Sequence, residues 1–280
     1  MRALVSGAVA GALAATALRL LRDRPPGGTD TWDRTNHAGR TVTLLEGPAY
    51  AVGAAGAAAL LGAGPGPVVA ASSSAAFGAL DDLRGDSSSK GLKGHLGALA
   101  RGEVTTGAVK ILGLGLTGLV SAALVDRRGR AALGAGTDGR PDGIPGVLDT
   151  LVGGAVIAGS ANLLNLLDLR PGRALKATIV LGALTATAPR SATAAGAAVG
   201  AAAGLLGPDL AGEAMLGDTG ANSAGALLGA ALVQRTGRRG RWVALAALTA
   251  LTLASEKVSF TRVIESTPGL RELDALGRRR

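Results

Sequence analysis

Apolar runs of nearly membrane-spanning length dominate this chain of 280 residues. Nine of them, built mainly from Ala, Gly, Leu and Val, occupy about 3–21, 43–63, 66–80, 104–125, 147–168, 174–188, 191–206, 218–233 and 242–258. A spanning helix needs about 20 mostly apolar residues, and shorter ones serve inside a bundle. The 45 glycines follow no three-residue period and sit inside the apolar runs. That excludes a collagen-like repeat and suits membrane helices, where small residues let backbones approach closely. With 48% hydrophobic and 18% charged residues and a mean hydropathy of +0.35, the apolar content exceeds what a water-soluble globule of this size carries. The expected fold is all-α: one polytopic membrane helical bundle of about nine spans over 1–280, without a repeat or a soluble module.

The connections are charged or rich in Gly and Pro, at 22–42, 81–103, 126–146, 169–173, 207–217 and 234–241, with a polar tail at 259–280 that holds no convincing tenth span. Basic residues favour the cytoplasmic side of a membrane. They are more numerous in the connections that an outside N-terminus would place inside, which predicts N-out and C-in. The heavier basic flank follows the first apolar run, so 1–21 reads as a retained helix and not a secretory signal. No cysteine is present, which excludes thiolate metal sites and cysteine nucleophiles. The net charge of +9 comes with only five aromatic residues, too few for a nucleic-acid stacking platform. Anionic lipid and phosphate-bearing substrates are the better partners.

In this orientation the acids and amides at the ends of the runs fall on one face, the cytoplasmic one. Asp81 and Asp82 close the third run. Asn162, Asn165 and Asp168 end the fifth at i, i+3, i+6, within a roughly 120° arc of one helix face. Asp218, in Gly217-Asp218-Thr219-Gly220, opens the eighth, at a helix N-terminus that attracts anions. Singly, each has an ordinary structural reading: solvated acids, interhelical hydrogen bonding, or an N-cap. Together, carboxylates and amide oxygens make a hard oxygen site suited to Mg²⁺, which keeps waters and takes substrate phosphates. Lys90 and Lys93 follow the first cluster and supply positive charge for such phosphates.

These motifs resemble the polyprenyl-phosphate N-acetylhexosamine-1-phosphate transferases, the family of phospho-N-acetylmuramoyl-pentapeptide transferase, over most of the chain. Arg34-Thr35-Asn36-His37-Ala38-Gly39-Arg40 is similar to its first cytoplasmic loop, and Asp81-Asp82-Leu83-Arg84 to its double-aspartate motif. Asn162-Leu163-Leu164-Asn165-Leu166-Leu167-Asp168 and Gly217-Asp218-Thr219-Gly220 resemble its two later motifs, in family order. The resemblance implies a Mg²⁺-dependent enzyme of the plasma (inner) membrane that faces the cytoplasm. It would transfer a sugar-1-phosphate from a UDP-sugar donor to polyprenyl phosphate, giving a lipid-diphosphate sugar and UMP for cell-envelope polymer synthesis. Asp218 would be the metal ligand, and Asp81 or Asp82 would position or deprotonate the lipid phosphate. Asp168, Asn162 and Asn165 would line the nucleotide side, with Asn36, Lys90 and Lys93 as further substrate contacts. A homodimer is compatible with such a bundle.

The chain departs from the family in two places. An acidic, glycine-rich turn is replaced by Asp168-Leu169-Arg170-Pro171-Gly172-Arg173, and the late histidine-rich loop is missing, since both histidines, His37 and His95, lie early. His95 reads as structural or as a phosphate contact before it reads as a base. Arg262 and Glu265 are expected where the family's sugar-recognising loop sits, and Arg173 is a candidate contact for donor phosphate, against a role only at lipid headgroups. Two rivals therefore stand beside the transferase: a catalytically silent relative that binds polyprenyl phosphate or scaffolds envelope enzymes, and a transporter. The transporter would hold its site near the bilayer midplane, whereas the acids here lie toward one face.

Overall fold

A computed structural model of the chain describes residues 1–35, 39–84, 105–132 and 146–278. Asn36, His37, Lys90, Lys93 and His95 lie outside the described residues. The structure is 79% helical and nearly all-α, as the apolar runs predict. Its helices are α1 (Arg2–Asp23), α2 (Thr29–Trp32), α3 (Glu46–Leu60), α4 (Pro65–Arg84), α5 (Thr106–Ala132), α6 (Val147–Leu167), α7 (Arg173–Thr185), α8 (Ala192–Leu210), α9 (Gly217–Arg235), α10 (Arg238–Ser255), α11 (Phe260–Ser266) and α12 (Leu270–Ala275). A two-stranded antiparallel hairpin, β1 (Asp33–Thr35) with β2 (Thr41–Thr43), lies between α2 and α3.

Among the described residues, three helices are long and apolar enough to cross a membrane: α1, residues Thr106–Gly129 of α5, and α6. The bent pair α10 and α11, which turns by 94°, would make a fourth. The other long helices, α3, α4, α7, α8 and α9, are shorter or less apolar, and α8 and α9 are the most buried of them. Their packing shows why Gly and Ala dominate. A Cβ on Gly200 of α8 would lie 1.9 Å from the carbonyl oxygen of Gly7 in α1, and one on Gly204 would lie 2.6 Å from that of Gly11. Only glycine permits backbones this close. Leu and Val instead crowd the outside: Leu4, Leu20, Leu112, Leu116, Leu184 and Val243 are all exposed. Small residues within and large apolar residues without is the pattern expected when the surrounding solvent is lipid.

Consecutive long helices alternate in direction. In α4 and α5, Gly66 meets Ser121 and Val125 while Phe77 meets Gly113; in α6 and α9, Ser160 meets Gly225 while Ile157 meets Gly229. The helix ends therefore form two sets at opposite ends of the bundle. One holds Asp81, Asp82, Asp168 and Asp218; the other holds the turns at 61–64, 186–191 and 236–237.

Three expectations about boundaries need correction. The third run extends to Arg84, because Asp81 and Asp82 are held by partners on α5 and α9, so they lie in the last turn of α4 instead of a connection. The stretch expected to connect from 207 is helical to Leu210, with Pro208 inside α8. The fourth run continues to Ala132, into the stretch expected to connect from 126, and within the polar tail α11 and α12 fold back onto the start of α7.

Candidate functional site

Four pieces of chain meet at the acid end: the hairpin, the end of α4, the start of α5 and the start of α9. Gly78 lets α4 reach α9, since a Cβ there would lie 2.3 Å from the carbonyl oxygen of Asp218. One turn on, Asp82 uses both carboxylate oxygens to receive the free N–H groups of α9. Oδ1 accepts from Asp218 N at 3.0 Å, and Oδ2 accepts from Thr219 N at 2.9 Å and from Thr219 Oγ1 at 2.6 Å. The N-cap of α9 is thus supplied from another helix, and Asp218, which could itself have been the cap, is released from that duty. Arg34 of the hairpin donates through Nη2 to the Asp82 carbonyl oxygen at 2.7 Å, which docks the hairpin on the end of α4. Thr43 and Met215 add a second tie, with Met215 N donating to Thr43 O at 3.0 Å.

Lys110 of α5 lies between the two acids that remain. Its Nζ is 2.5 Å from Asp81 Oδ2 and 2.5 Å from Asp218 Oδ2. The side chains are only 17%, 17% and 22% exposed for Lys110, Asp81 and Asp218, so water screens the trio weakly yet a ligand has a path to it. Two carboxylates around one ammonium leave a net negative charge when all three are ionised. Lys110 was not among the site residues expected from the motifs. The signal that would have found it is its position: a lysine in an apolar run needs an acidic partner or a cavity.

Asp168 follows the last turn of α6, at this same end, and its Oδ2 is buried without a hydrogen-bond partner. Glu46 and Asp209 also carry buried carboxylate oxygens without partners. The two amides of the α6 stripe part company: Asn162 donates through Nδ2 to Thr252 Oγ1 of α10 at 3.3 Å, which ties helices together, and Asn165 is half-buried.

Arg173 is a correction. Its guanidinium is 5% exposed and grips Asp274 of α12 in a two-pronged pair, Nε to Oδ1 at 2.8 Å and Nη2 to Oδ2 at 3.0 Å, with Nη1 donating to Thr261 Oγ1 at 2.9 Å. It is committed to the C-terminal segment and not free for a phosphate, because a buried fork satisfies its donors on the nearest carboxylate. Arg170 and Glu265 lie 3.4 Å apart across the same junction, and Arg262 is exposed on α11. Lys176 finishes the clamp by donating to the carbonyl oxygens of Leu273, Asp274 and Leu276 at 2.6–3.0 Å. Burial would raise the Asp274 carboxyl, but the hydrogen bonds and charges of Arg173 and Arg278 outweigh it and hold it below the usual carboxylate range.

Among the described residues, no group of three or more His, Cys, Asp and Glu side chains is arranged to hold a metal ion. The pair Asp81 and Asp218 does converge on one cation, the Lys110 ammonium. One or two carboxylates, completed by water and substrate phosphates, is the donor set Mg²⁺ takes, so these residues fit it. A scan of the chain against protein-family models found no match, and a search of curated proteins found none.

Proposed function

We propose that the chain is a membrane-embedded phospho-sugar transferase, which moves an N-acetylhexosamine-type sugar-1-phosphate from a UDP-sugar to polyprenyl phosphate for cell-envelope polymer synthesis. The observation that carries this reading is the Asp81–Lys110–Asp218 trio, in which two of the recognised motifs meet around one positive charge. In the reaction an oxygen of the lipid phosphate forms a bond to the donor β-phosphorus. The bond from that phosphorus to the bridging oxygen breaks, and UMP leaves with the electron pair.

Asp81 is the residue to position or deprotonate the lipid phosphate. Asp82 is not, because both of its oxygens are already engaged at the start of α9. Lys110 neutralises phosphate oxygens as the substrates arrive, and its charge is available at a site with little water to screen it. Asp218 and Asp81 would hold Mg²⁺, whose chemistry when bound is to neutralise the donor phosphates. Asp168, at the same end, is the candidate for the nucleotide side. Phosphoryl transfer asks for little beyond this positioning and charge neutralisation.

In this reading the bundle has about nine spans, lies in the plasma membrane and keeps the acid end in the cytoplasm, where nucleotide sugars are made. The chain lacks cysteine, so single cysteines report sidedness directly. Gly237→Cys, at the opposite end, should react with an impermeant thiol reagent added to intact cells, and Ser266→Cys should not.

A second reading draws on Lys110 as well. An ammonium already shared by two carboxylates, which leaves less need for a metal between them, suits a silent relative that binds polyprenyl phosphate without turnover. One experiment separates the two: purified protein incubated with labelled UDP-N-acetylhexosamines, Mg²⁺ and polyprenyl phosphate. Formation of lipid-diphosphate sugar together with UMP supports the transferase. Retention of polyprenyl phosphate with no UMP released from any donor supports the silent relative.

A further inference from the structure

The end of the bundle opposite the acids contains a cleft of about 760 Å³. That is within the range of small-molecule sites, about 300–1,000 Å³. Seven arginines and two aspartates line it. Both aspartates are ion-paired, although Asp149 Oδ1 is buried without a hydrogen-bond partner. Asp126, in α5, receives Arg241 at 2.6 Å and the Thr150 hydroxyl at 2.7 Å, and all but 1% of its side chain is buried. Asp149 accepts from Gly146 N at 3.2 Å and lies 3.3 Å from Arg238 Nε.

The other five arginines, Arg2, Arg128, Arg190, Arg235 and Arg239, have no carboxylate partner among the described residues. Arg128 and Arg235 donate to backbone carbonyls, of Gly62 at 3.2 Å and of Leu184 at 3.1 Å, and so are held at the rim. These groups come from α1, α5, the turn before α8, α9 and α10, and only the fold brings them to one place.

Two further observations favour an anion at this cleft. Arg241 is among the residues that line the cleft, and its Nε is a buried donor with no acceptor among the described residues. Helix α10 starts at the cleft, at Arg238, after Gly237, which has no side chain to cap the first N–H groups. A buried donor without a partner costs free energy, and an uncapped helix start is a ready anion site.

We propose that this cleft binds a phosphate group, either on a lipid headgroup or free in solution, at a site separate from the acid end and independent of the function proposed for it. Arginine suits phosphate because its planar fork offers paired donors, and its weak hydration lowers the cost of binding. Free phosphate and lipid phosphate share this chemistry, so the test must tell them apart.

The full-length protein is studied with EDTA present, so that metal-dependent binding at the acid end is absent. Inorganic pyrophosphate is titrated onto protein in neutral detergent. Phosphatidylglycerol retention is measured by native mass spectrometry from phosphatidylcholine nanodiscs containing phosphatidylglycerol. Arg190 and Arg239 are exposed and make no side-chain hydrogen bond among the described residues, so Arg190→Ala with Arg239→Ala should keep the wild-type melting temperature. Arg2→Ala, on another helix, gives an independent readout.

Saturable binding of at least one probe is expected. It should weaken about tenfold or more in the double variant, the loss expected when charge-assisted hydrogen bonds are removed, and lysine at both positions should restore it only in part. A response to pyrophosphate with no retention of phosphatidylglycerol identifies free phosphate as the source, and retention of phosphatidylglycerol that the double variant loses identifies the headgroup. Binding of neither probe, or equal binding by the wild type, the double variant and Arg2→Ala, would overturn the proposal.

Discussion

At one end of the bundle Asp81 and Asp218 share the ammonium of Lys110, while at the other Asp126 is sealed under Arg241 and five more guanidiniums stand without a carboxylate among the described residues. The trio at the acid end is partly open, at 17–22% side-chain exposure, whereas the Arg241–Asp126 pair is 6% and 1% exposed. Openness is what separates them. A charge pair that a ligand can reach is able to exchange partners, and one shut inside the bundle mainly holds helices together. The acid trio is thus left able to exchange partners, while the pair at the opposite end is enclosed beside the cleft.

The sharpest way to break this comparison is to remove one charge from the pairing at each end. Asp218→Asn keeps the shape of the side chain and removes its charge. It should leave the protein folded and bring lipid-diphosphate sugar formation down about 1,000-fold or more, the equivalent of roughly 4 kcal/mol of transition-state stabilisation. Near wild-type rates for the purified variant would remove Asp218 from the chemistry.

Arg241→Ala should do the reverse, because it strands Asp126 in a buried site. Such a loss costs about 3–5 kcal/mol. Thermal unfolding in detergent would register it, and a melting temperature equal to that of the wild type would show that the pair does not hold the fold.

Gly78→Ala probes how the two acids of the trio are brought into range. The added methyl would press on the Asp218 carbonyl, now 2.3 Å from the Cβ position, and push α4 away from α9. Overpacking of this kind costs about 1–3 kcal/mol. Activity should fall further than stability, since Asp81, Asp82 and Asp218 all depend on this approach. An equal fall at Gly56→Ala, where the nearest atom is the Leu13 side chain at 3.5 Å, would show that any added methyl has this effect.

The smallest effect is expected at the C-terminal clamp. The Asp274 carboxyl is held below its ordinary value, so its contribution is present above the unfolded value and is lost as the pH falls through the folded one. Docking of α12 on α7 should therefore loosen on acidification below the usual carboxylate range. The emission of a solvent-sensitive fluorophore attached beforehand at Ser266→Cys should shift as the pH falls across that range, and Asp274→Asn should flatten the profile. A profile identical in the two proteins would assign the clamp to packing alone.

Much of the acid end was legible because its residues are marked locally. Aspartates that end or open apolar runs, at 81, 82, 168 and 218, have few explanations, and the charge cost of placing them there is the same in any bundle. Their division of labour was not legible. Asp81 and Asp82 are adjacent in the chain, yet one faces Lys110 and the other serves as the cap of α9. Arg173 misled for the same reason: a basic residue beside a recognised motif reads as a phosphate contact until its carboxylate partner, 101 residues further on, is known.

The sequence by itself determined that the chain is a helical bundle with an apolar exterior, because run length and small-residue content are properties of each segment alone. It also determined that acids collect at helix ends. Only the tertiary structure decided which charges meet. Lys110 finds Asp218 across 108 residues and Arg241 finds Asp126 across 115. The arginines of the cleft come from five separate segments. Pairing energy depends on distance and burial, and neither is a property of any single segment; both arise when glycine-lined faces such as those of Gly78 and Gly200 let the helices close.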